Sequence, residues 1–261
     1  MIILSLGAGV QSSTMALMAS RGEFSNTPDA AIFSDTGWEP QKVYEWLDWL
    51  EPQLSFPLYR VSAGNLRNDI IKKTNSTGQR FAAVPWFVLN KGKIGMGRRQ
   101  CTSEYKLRPI QRKVVELTGG RKKASCEMWI GISTDEVIRM RPSRVQYIVN
   151  KYPLVEGGIS RNDCLKWFEK NMLPRPPKSS CIGCPFHSDN QWRELRDHSP
   201  NEWKDAVELD RLIRDNSHRG IRGQQFMHRS CKPLDEVDLR TSFELGQSDL
   251  FGNECEGMCG V

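Results

Sequence analysis

The chain has 261 residues, with 37 Lys and Arg against 31 Asp and Glu, so its net charge is +6 when the four His are counted as neutral. Its 38% hydrophobic and 26% charged residues are typical of a globular protein and exclude intrinsic disorder. No apolar run reaches the roughly 20 residues of a membrane helix, and the first residues lack a signal-peptide pattern. We therefore expect a cytoplasmic protein with no membrane partner.

Strands and helices alternate along the first part of the chain. Apolar runs predict strands at residues 2–6, 30–34 and 58–61, with a later one at 128–132, and helical spacing predicts helices at 12–20, 41–51 and 66–73. This alternation is typical of a parallel sheet with helices on both faces. The predicted fold class is therefore α/β, with an open, twisted parallel sheet.

The second half of the chain is more helical. Capping-box spacing marks two helix starts, Ser160 with Asp163 and Ser199 with Pro200 and Glu202. Between them, residues 173–180 are rich in Pro, Lys and Ser and are predicted to form a loop. We therefore expect an α/β domain over residues 1–155 and a mainly helical region over residues 156–261.

A glycine-rich loop follows the first predicted strand and opens the first helix. From Ser5 to Ser13 it reads SLGAGVQSS, without the Gly-Lys-Ser/Thr of a Walker loop or the third glycine of GxGxxG. Ligands of open parallel sheets bind at the carboxyl ends of strands, where a helix N-terminus offers N–H groups to anions. The loop is therefore predicted to bind phosphate, the alternative being a plain glycine turn.

Six short motifs, in this chain order, resemble the PP-loop ATP pyrophosphatase superfamily and its phosphoadenosine phosphosulfate (PAPS) reductase-like branch. They are Gly7–Ser12, similar to SGGxDS; Asp35-Thr36-Gly37, similar to DTG; Cys101-Thr102 with Lys106 and Pro109; Gly131-Ile132 with Asp135, Glu136 and Arg139; Tyr152-Pro153-Leu154; and the Cys-x-x-Cys of Cys181 and Cys184. Gln11 stands where the signature has Asp, which leaves open whether ATP is cleaved.

The resemblance implies roles for individual residues. An adenine nucleotide, ATP or alternatively PAPS or adenosine phosphosulfate, would be bound by Ser5, Gly7, Gly9, Gln11, Ser12, Ser13, Asp35, Thr36, Gly37 and Gly131. Asp35 would hold Mg²⁺ or a ribose hydroxyl, and Arg139 would meet a phosphate or sulfate, which makes both of them candidate catalytic residues.

Eight cysteines in a cytoplasmic chain favour metal ligands or redox thiols over disulfides. Cys181 and Cys184 have the spacing of a metal or cluster site, and the resemblance adds Cys101. The fourth ligand is open: Cys259 is one candidate, beside Cys231, Cys255, His187 or none. We expect a [4Fe–4S] cluster, with zinc and a redox pair as alternatives. Cys126 and Cys164 are expected to be buried core thiols.

The C-terminal tail offers a second use for a thiol. Glu254-Cys255 resembles the Glu-Cys-Gly tail of sulfonucleotide reductases, although Glu256 intervenes before the glycine. The resemblance implies that Cys255 is a catalytic nucleophile. A cluster ligand and an inert tail are the alternatives.

Basic residues are concentrated between residues 91 and 123, where eleven Lys and Arg stand against two Glu. Such a stretch is typical of a phosphate-bearing partner, and we expect it to bind nucleic acid. A plain solvated face is the alternative.

The sequence is compatible with three functions. The first is a PP-loop enzyme that transfers sulfur to tRNA or DNA using ATP and a [4Fe–4S] cluster. The second is a sulfonucleotide reductase of the PAPS type that uses Cys255. The third is a non-catalytic nucleic-acid-binding module with structural zinc. The sequence leaves the acceptor, the sulfur donor and the oligomeric state open.

Overall fold

The computed structural model describes residues 1–78, 82–215, 220–241 and 244. The strands are β1 (Ile2–Leu6), β2 (Ala30–Asp35), β3 (Leu58–Ser62), β4 (Phe87–Asn90), β5 (Lys93–Met96), β6 (Cys126–Ile130), β7 (Ile148–Lys151) and β8 (Gln224–Phe226). The α-helices are α1 (Val10–Ser20), α2 (Gln41–Leu50), α3 (Leu66–Ile71), α4 (Arg108–Leu117), α5 (Pro153–Glu156), α6 (Arg161–Lys170), α7 (Asp189–His198) and α8 (Pro200–Leu212). A π-helical segment, Thr102–Leu107, leads into α4.

These elements form two compact units, neither of which is continuous in sequence. Among the described residues, the first unit contains Met1–Gly64 and Ser103–Ser179, and the second contains Asn65–Thr102 and those from Ser180 onward. The domain boundary predicted after residue 155 stays a prediction.

The first unit is built on a five-stranded sheet in the order β3-β2-β1-β6-β7, and every strand pair is parallel. The predicted open parallel sheet is confirmed. Strand order reverses between β1 and β6, because the chain moves outward through β2 and β3 and then returns to the other side of β1. The loops that leave β1 and β6 therefore diverge and open a crevice, which is where open α/β sheets bind ligands.

Both faces of this sheet are covered. Leu4 packs with Trp46 and Phe168 on one face, and Ile3 packs with Ile110 on the other. Neighbouring residues of a strand point to opposite faces, so β1 contributes to both hydrophobic cores. Burial on both faces explains why β1 and β2 are nearly continuous apolar runs.

The second unit contains a three-stranded antiparallel sheet in the order β5-β4-β8, together with α3, α7 and α8. The Asp210 side chain of α8 is fully buried and accepts hydrogen bonds from the backbone N–H groups of Met227 and Leu234. It also pairs with Arg214. This carboxylate therefore anchors the chain after α8 to the helix.

Of the two predicted helix caps, one is confirmed and the other is wrong. The capping box of Ser160 and Asp163 is confirmed at the start of α6. The one predicted at Ser199 is wrong, because α8 starts with Pro200 but the Ser199 side chain makes no capping hydrogen bond. Ser188 and Gln191 form a capping box at α7 instead. Across the described ranges, every helix is too short or too polar to cross a bilayer.

Candidate nucleotide-binding site

The loop after β1 is folded around the Ser12 side chain. Its hydroxyl accepts a hydrogen bond from the N–H of Gly7 at 3.1 Å and donates to the carbonyl of Gly9 at 3.3 Å. Ala8 sits in the left-handed backbone region, with φ of 58°, and its side chain is buried. Ser5 lies within β1, paired with Ile32 of β2 and Ile130 of β6. The predicted loop is thus a tight turn that holds Gly7 and Gly9 at the start of α1.

Gly131, at the end of β6, lies directly against this loop. A Cβ at this position would be 2.8 Å from the Ser12 nitrogen and 2.9 Å from its Cα. Both neighbours are backbone atoms, so a side chain here would push α1 away from the sheet. Glycine at this position lets the first turn of α1 reach the crevice between β1 and β6.

Ser179 makes a second close approach to the loop. A Cβ on Gly9 would be 3.2 Å from the Ser179 hydroxyl oxygen, and a Cβ on Gly7 would be 3.9 Å from it. Ser179 belongs to the predicted loop of residues 173–180. The Ser179 hydroxyl therefore adds a hydrogen-bond donor beside Gly7 and Gly9.

The Gln11 side chain bridges two charged side chains. Its amide nitrogen donates to Glu136 Oε2 at 3.1 Å, and its amide oxygen accepts from Arg161 at 2.9 Å. Glu136 Oε1 accepts from Arg139 at 2.6 Å. A carboxylate at residue 11 has no N–H to give to Glu136. The departure from the Asp of the family signature therefore matches its surroundings.

This hydrogen-bond network also contains two guanidinium groups. Arg139 ends the short 3-10 helix that follows β6, and its side chain is 19% exposed. Arg161 is the first residue of α6, and its backbone N–H donates to Asp135 at 2.7 Å. Glu136 neutralises part of this positive charge. An anion in the crevice would meet Arg139 and Arg161 as well as the helix N-terminus.

Asp35 stands at the carboxyl end of β2 with one oxygen fixed. Its Oδ1 accepts from the N–H of Gly37 at 2.7 Å and from the Tyr44 hydroxyl at 2.9 Å. Burial, followed by the hydrogen bond to Asp35, raises the pKa of Tyr44 above its usual value. Tyr44 therefore remains a donor throughout the physiological range, and it orients the carboxylate.

Two predicted nucleotide ligands point into the protein instead. The Ser13 side chain is fully buried, and its hydroxyl accepts a hydrogen bond from the Trp46 indole at 2.9 Å. The Thr36 side chain is also fully buried and donates to Glu39 at 3.0 Å. The structure thus brings Gly7, Gly9 and Ser12 together but turns the hydroxyls of Ser13 and Thr36 toward the core.

The three predicted metal-binding cysteines all belong to the second unit. The N–H of Cys184 donates to the Cys181 carbonyl at 3.0 Å, which closes the Cys-x-x-Cys turn. Residues just before β4 hydrogen-bond to the backbone at the Cys-x-x-Cys turn and at Cys101. Trp86 Nε1 donates to the Gly183 carbonyl at 3.2 Å, and the Ala83 carbonyl accepts from the N–H of Cys101 at 3.0 Å.

The side chains do not complete a metal site in the part of the chain that the structure describes. There, no group of three or more His, Cys, Asp or Glu side chains is placed to hold a metal ion. Cys255 and Cys259 lie outside the described residues. The cluster and its ligand set therefore stay a prediction.

The remaining cysteines and His187 are largely buried. Cys126 and Cys164 are fully buried, and burial raises the pKa of each thiol to about 11. These two are the core thiols that the sequence predicts. Burial also raises the pKa of Cys231. The His187 ring contacts the Ser180 hydroxyl at 2.9 Å and the Cys181 carbonyl at 3.1 Å.

The basic residues between positions 91 and 123 fall into both units. Lys91 and Lys93 lie on the β4–β5 hairpin, whereas Lys106 approaches Glu39 at 3.8 Å. Lys113 pairs with Glu116 at 2.6 Å and also stands over the ring of Tyr59. The basic residues of this stretch therefore belong to several separate surfaces, and acidic side chains neutralise some of them.

Sequence reasoning missed three residues of the site: Tyr44, Arg161 and Ser179. Arg161 follows the capping residue Ser160, and that position at a helix start was its only signal. Tyr44 and Ser179 contact the site through the tertiary fold, and nothing in their local sequence marks them.

Comparisons with known proteins give distant similarities. No family model and no curated protein matches the sequence. The chain is similar in structure to phosphoadenylyl-sulfate (PAPS) reductase from Candida auris in a phosphate complex, with 13% identity and a TM-score of 0.43, over 67% of this chain and 74% of that one. It is also similar to the U34-tRNA thiolase NcsA from Methanococcus maripaludis with its [4Fe–4S] cluster, with 13% identity and a TM-score of 0.42, over 100% of this chain and 78% of that one. At this distance neither activity transfers to this chain.

Proposed function

We propose that the crevice between β1 and β6 binds the phosphates of an adenine nucleotide, and that the protein is an enzyme of sulfur chemistry that uses ATP to modify a nucleic acid. The observation that carries this proposal is the contact of Gly131 with the first turn of α1. It places free helix N–H groups at the point where strand order reverses.

The surrounding residues divide the work of binding. The N-terminus of α1 and the Ser179 hydroxyl donate to phosphate oxygens, while Arg139 and Arg161 offset their charge. Asp35, oriented by Tyr44, holds a ribose hydroxyl or a magnesium ion. In the proposed reaction, an oxygen of the acceptor attacks the α-phosphorus and pyrophosphate leaves, and a sulfur nucleophile then displaces AMP. The protein's task is to hold the two reactants in line.

Equilibrium titration with ATP, GTP and PAPS tests the nucleotide assignment. We expect ATP to bind more tightly than GTP, and Arg161→Gln to weaken ATP binding by about tenfold, which corresponds to 1.4 kcal/mol. A matched control is Arg21→Gln, which removes a guanidinium that pairs with Asn171 at the other end of α1. Tighter binding of PAPS than of ATP would favour the sulfonucleotide reductase. Failure of both ATP and PAPS to bind would contradict the proposal.

The metal is a separate question with its own measurement. Iron and zinc content of protein purified without oxygen, together with the visible spectrum, tests the predicted [4Fe–4S] cluster. About four irons per chain, lost in Cys181→Ala, would support it. One zinc and no iron would favour a structural site.

A further inference from the structure

The β4–β5 hairpin of the second unit has an unusual tip. Asn90 pairs with Lys93 across a two-residue turn, in which Lys91 has φ of 48° and Gly92 has φ of 75°. Both values lie in the left-handed region, where Asn and Gly are the common residues of such a turn. A lysine in this strained position places an ammonium group at the tip of the hairpin.

The outer strand of the hairpin is exposed and apolar. All four residues of β5 are exposed, and among them Ile94 is 58% exposed and Met96 is 46% exposed. The two side chains are two residues apart and therefore stand on the same face. Edge strands of soluble proteins are usually protected by charges or covered, so an exposed Ile-x-Met pair points to a partner.

The sequence segment that contains the hairpin carries charge of one sign. No Asp or Glu occurs between residues 70 and 103. This stretch contains Lys72, Lys73, Arg80, Lys91, Lys93, Arg98 and Arg99. Within the described ranges, Lys91, Lys93 and Arg98 take part in no ion pair. Such a segment is complementary in charge to a phosphate backbone.

We propose that the β4–β5 hairpin is the surface that docks duplex DNA, with Lys91, Lys93 and Arg98 on the phosphates and Ile94 and Met96 against the base edges. This inference rests on the proposed function, for which it supplies the surface that receives the acceptor. The choice of DNA follows from groove geometry. The major groove of B-form DNA admits a two-stranded ribbon, whereas the major groove of an RNA duplex is too narrow.

Fluorescence anisotropy with a short labelled DNA duplex, measured between about 50 and 200 mM salt, tests this docking. The charge variant is Lys91→Ala with Lys93→Ala, and the apolar variant is Ile94→Ser with Met96→Ser. The control is Lys122→Ala with Lys123→Ala, which removes the same charge from an exposed turn of the first unit.

We expect the charge variant to bind at least tenfold more weakly and to lower the salt slope by about 2. The apolar variant should lose affinity without a change in slope, and the control should change affinity by less than about twofold. Equal loss in the control, or tighter binding of an RNA duplex, would overturn the proposal. The proposal would also be overturned if sedimentation velocity showed a dimer for the wild type and a monomer for the apolar variant, because β5 would then pair with a second copy.

The test also separates this inference from the proposed function. ATP affinity is measured on the same three variants and should be unchanged in all of them. Binding of ATP without binding of DNA would contradict the docking surface alone. Binding of DNA through the hairpin without binding of ATP would contradict the nucleotide site alone.

Discussion

The Gln11 amide nitrogen lies 3.1 Å from Glu136 Oε2 and donates a hydrogen bond to it. This bond ties the first turn of α1 to the segment after β6, while the other end of the same amide holds Arg161. A neutral side chain with one donor end and one acceptor end thus connects a carboxylate to a guanidinium. The identity of residue 11 is therefore coupled to the presence of Glu136.

Gln11→Glu should make stability depend on pH. The new carboxylate would stand beside Glu136, and two such groups raise each other's pKa because like charges disfavour ionisation. A carboxyl whose folded pKa is raised contributes stability at acid pH and loses it as pH rises through that value. Arg161 offsets only part of the repulsion.

Urea unfolding at about pH 4, just below the ordinary pKa of a glutamate, and at about pH 8 measures this effect. We expect the variant to lose about 1–2 kcal/mol relative to the wild type at the higher pH, equivalent to roughly one pKa unit. Gln11→Met, which removes the hydrogen bonds without adding charge, should lose the same amount at both pH values. A pH-independent Gln11→Glu would contradict the coupling.

Gly131→Ala should destabilise the first unit. Its Cβ would meet the Ser12 backbone at 2.8 Å, and backbone atoms in a packed helix cannot move aside as a flexible side chain can. A cost of about 1–3 kcal/mol is expected, as in other overpacked sites. Gly7→Ala is the control, because its Cβ would meet only side-chain hydroxyl oxygens at ordinary contact distance, Ser12 at 3.6 Å and Ser179 at 3.9 Å. Thermal unfolding of both variants decides, and equal costs would contradict the argument.

The sequence predicts the sheet better than it predicts the site. β1 and β2 are continuous apolar runs because both faces of the sheet are covered, so local composition is enough to find them. The position of Ser13 beside Ser12 predicts a phosphate ligand. Its true partner, Trp46, lies 33 residues away and comes close only through the packing of α2 on α1.

Helix starts show the same difference between local and tertiary information. Ser160 caps α6 with Asp163, three residues along the chain, and that spacing is visible in the sequence. Arg161 then reaches Gln11 across 150 residues, which no local pattern encodes. The cap at Ser160 is thus predictable because its partner is close in sequence, whereas the contact of Arg161 is not.

Cysteine labelling should sort the thiols by burial. Cys126 and Cys164 are fully buried with pKa values raised to about 11, and alkylation requires an accessible thiolate. Iodoacetamide at about pH 8 should therefore spare both in folded, metal-free protein, while Cys101 and Cys181, which are partly exposed, react sooner than these two. Mass spectrometry of the digested protein reads this order. In urea the difference should vanish, and early labelling of Cys164 would contradict the burial of α6.

Tyr44→Phe should change the behaviour at alkaline pH. The pKa of Tyr44 is raised by burial and then by its hydrogen bond to Asp35. Stability from this group is complete below the unfolded pKa of about 10 and is lost as pH rises above it. The wild type should thus lose stability above that pH, and the variant should lose less. ATP affinity of the variant should also fall, because Asp35 loses a donor that orients it; an unchanged affinity would remove Asp35 from the site.

Ser12→Ala and Ser13→Ala should have opposite effects on binding and stability. Ser12 holds Gly7 and Gly9 in the loop, so its loss should weaken ATP binding by about tenfold while costing only about 1 kcal/mol of stability. Ser13 accepts from the buried Trp46 indole, so its loss leaves an unsatisfied donor that costs about 1–3 kcal/mol. ATP affinity should then be nearly unchanged where the protein is folded. Titration and urea unfolding of both variants measure the two effects, and equal loss of ATP binding would return Ser13 to the phosphate site.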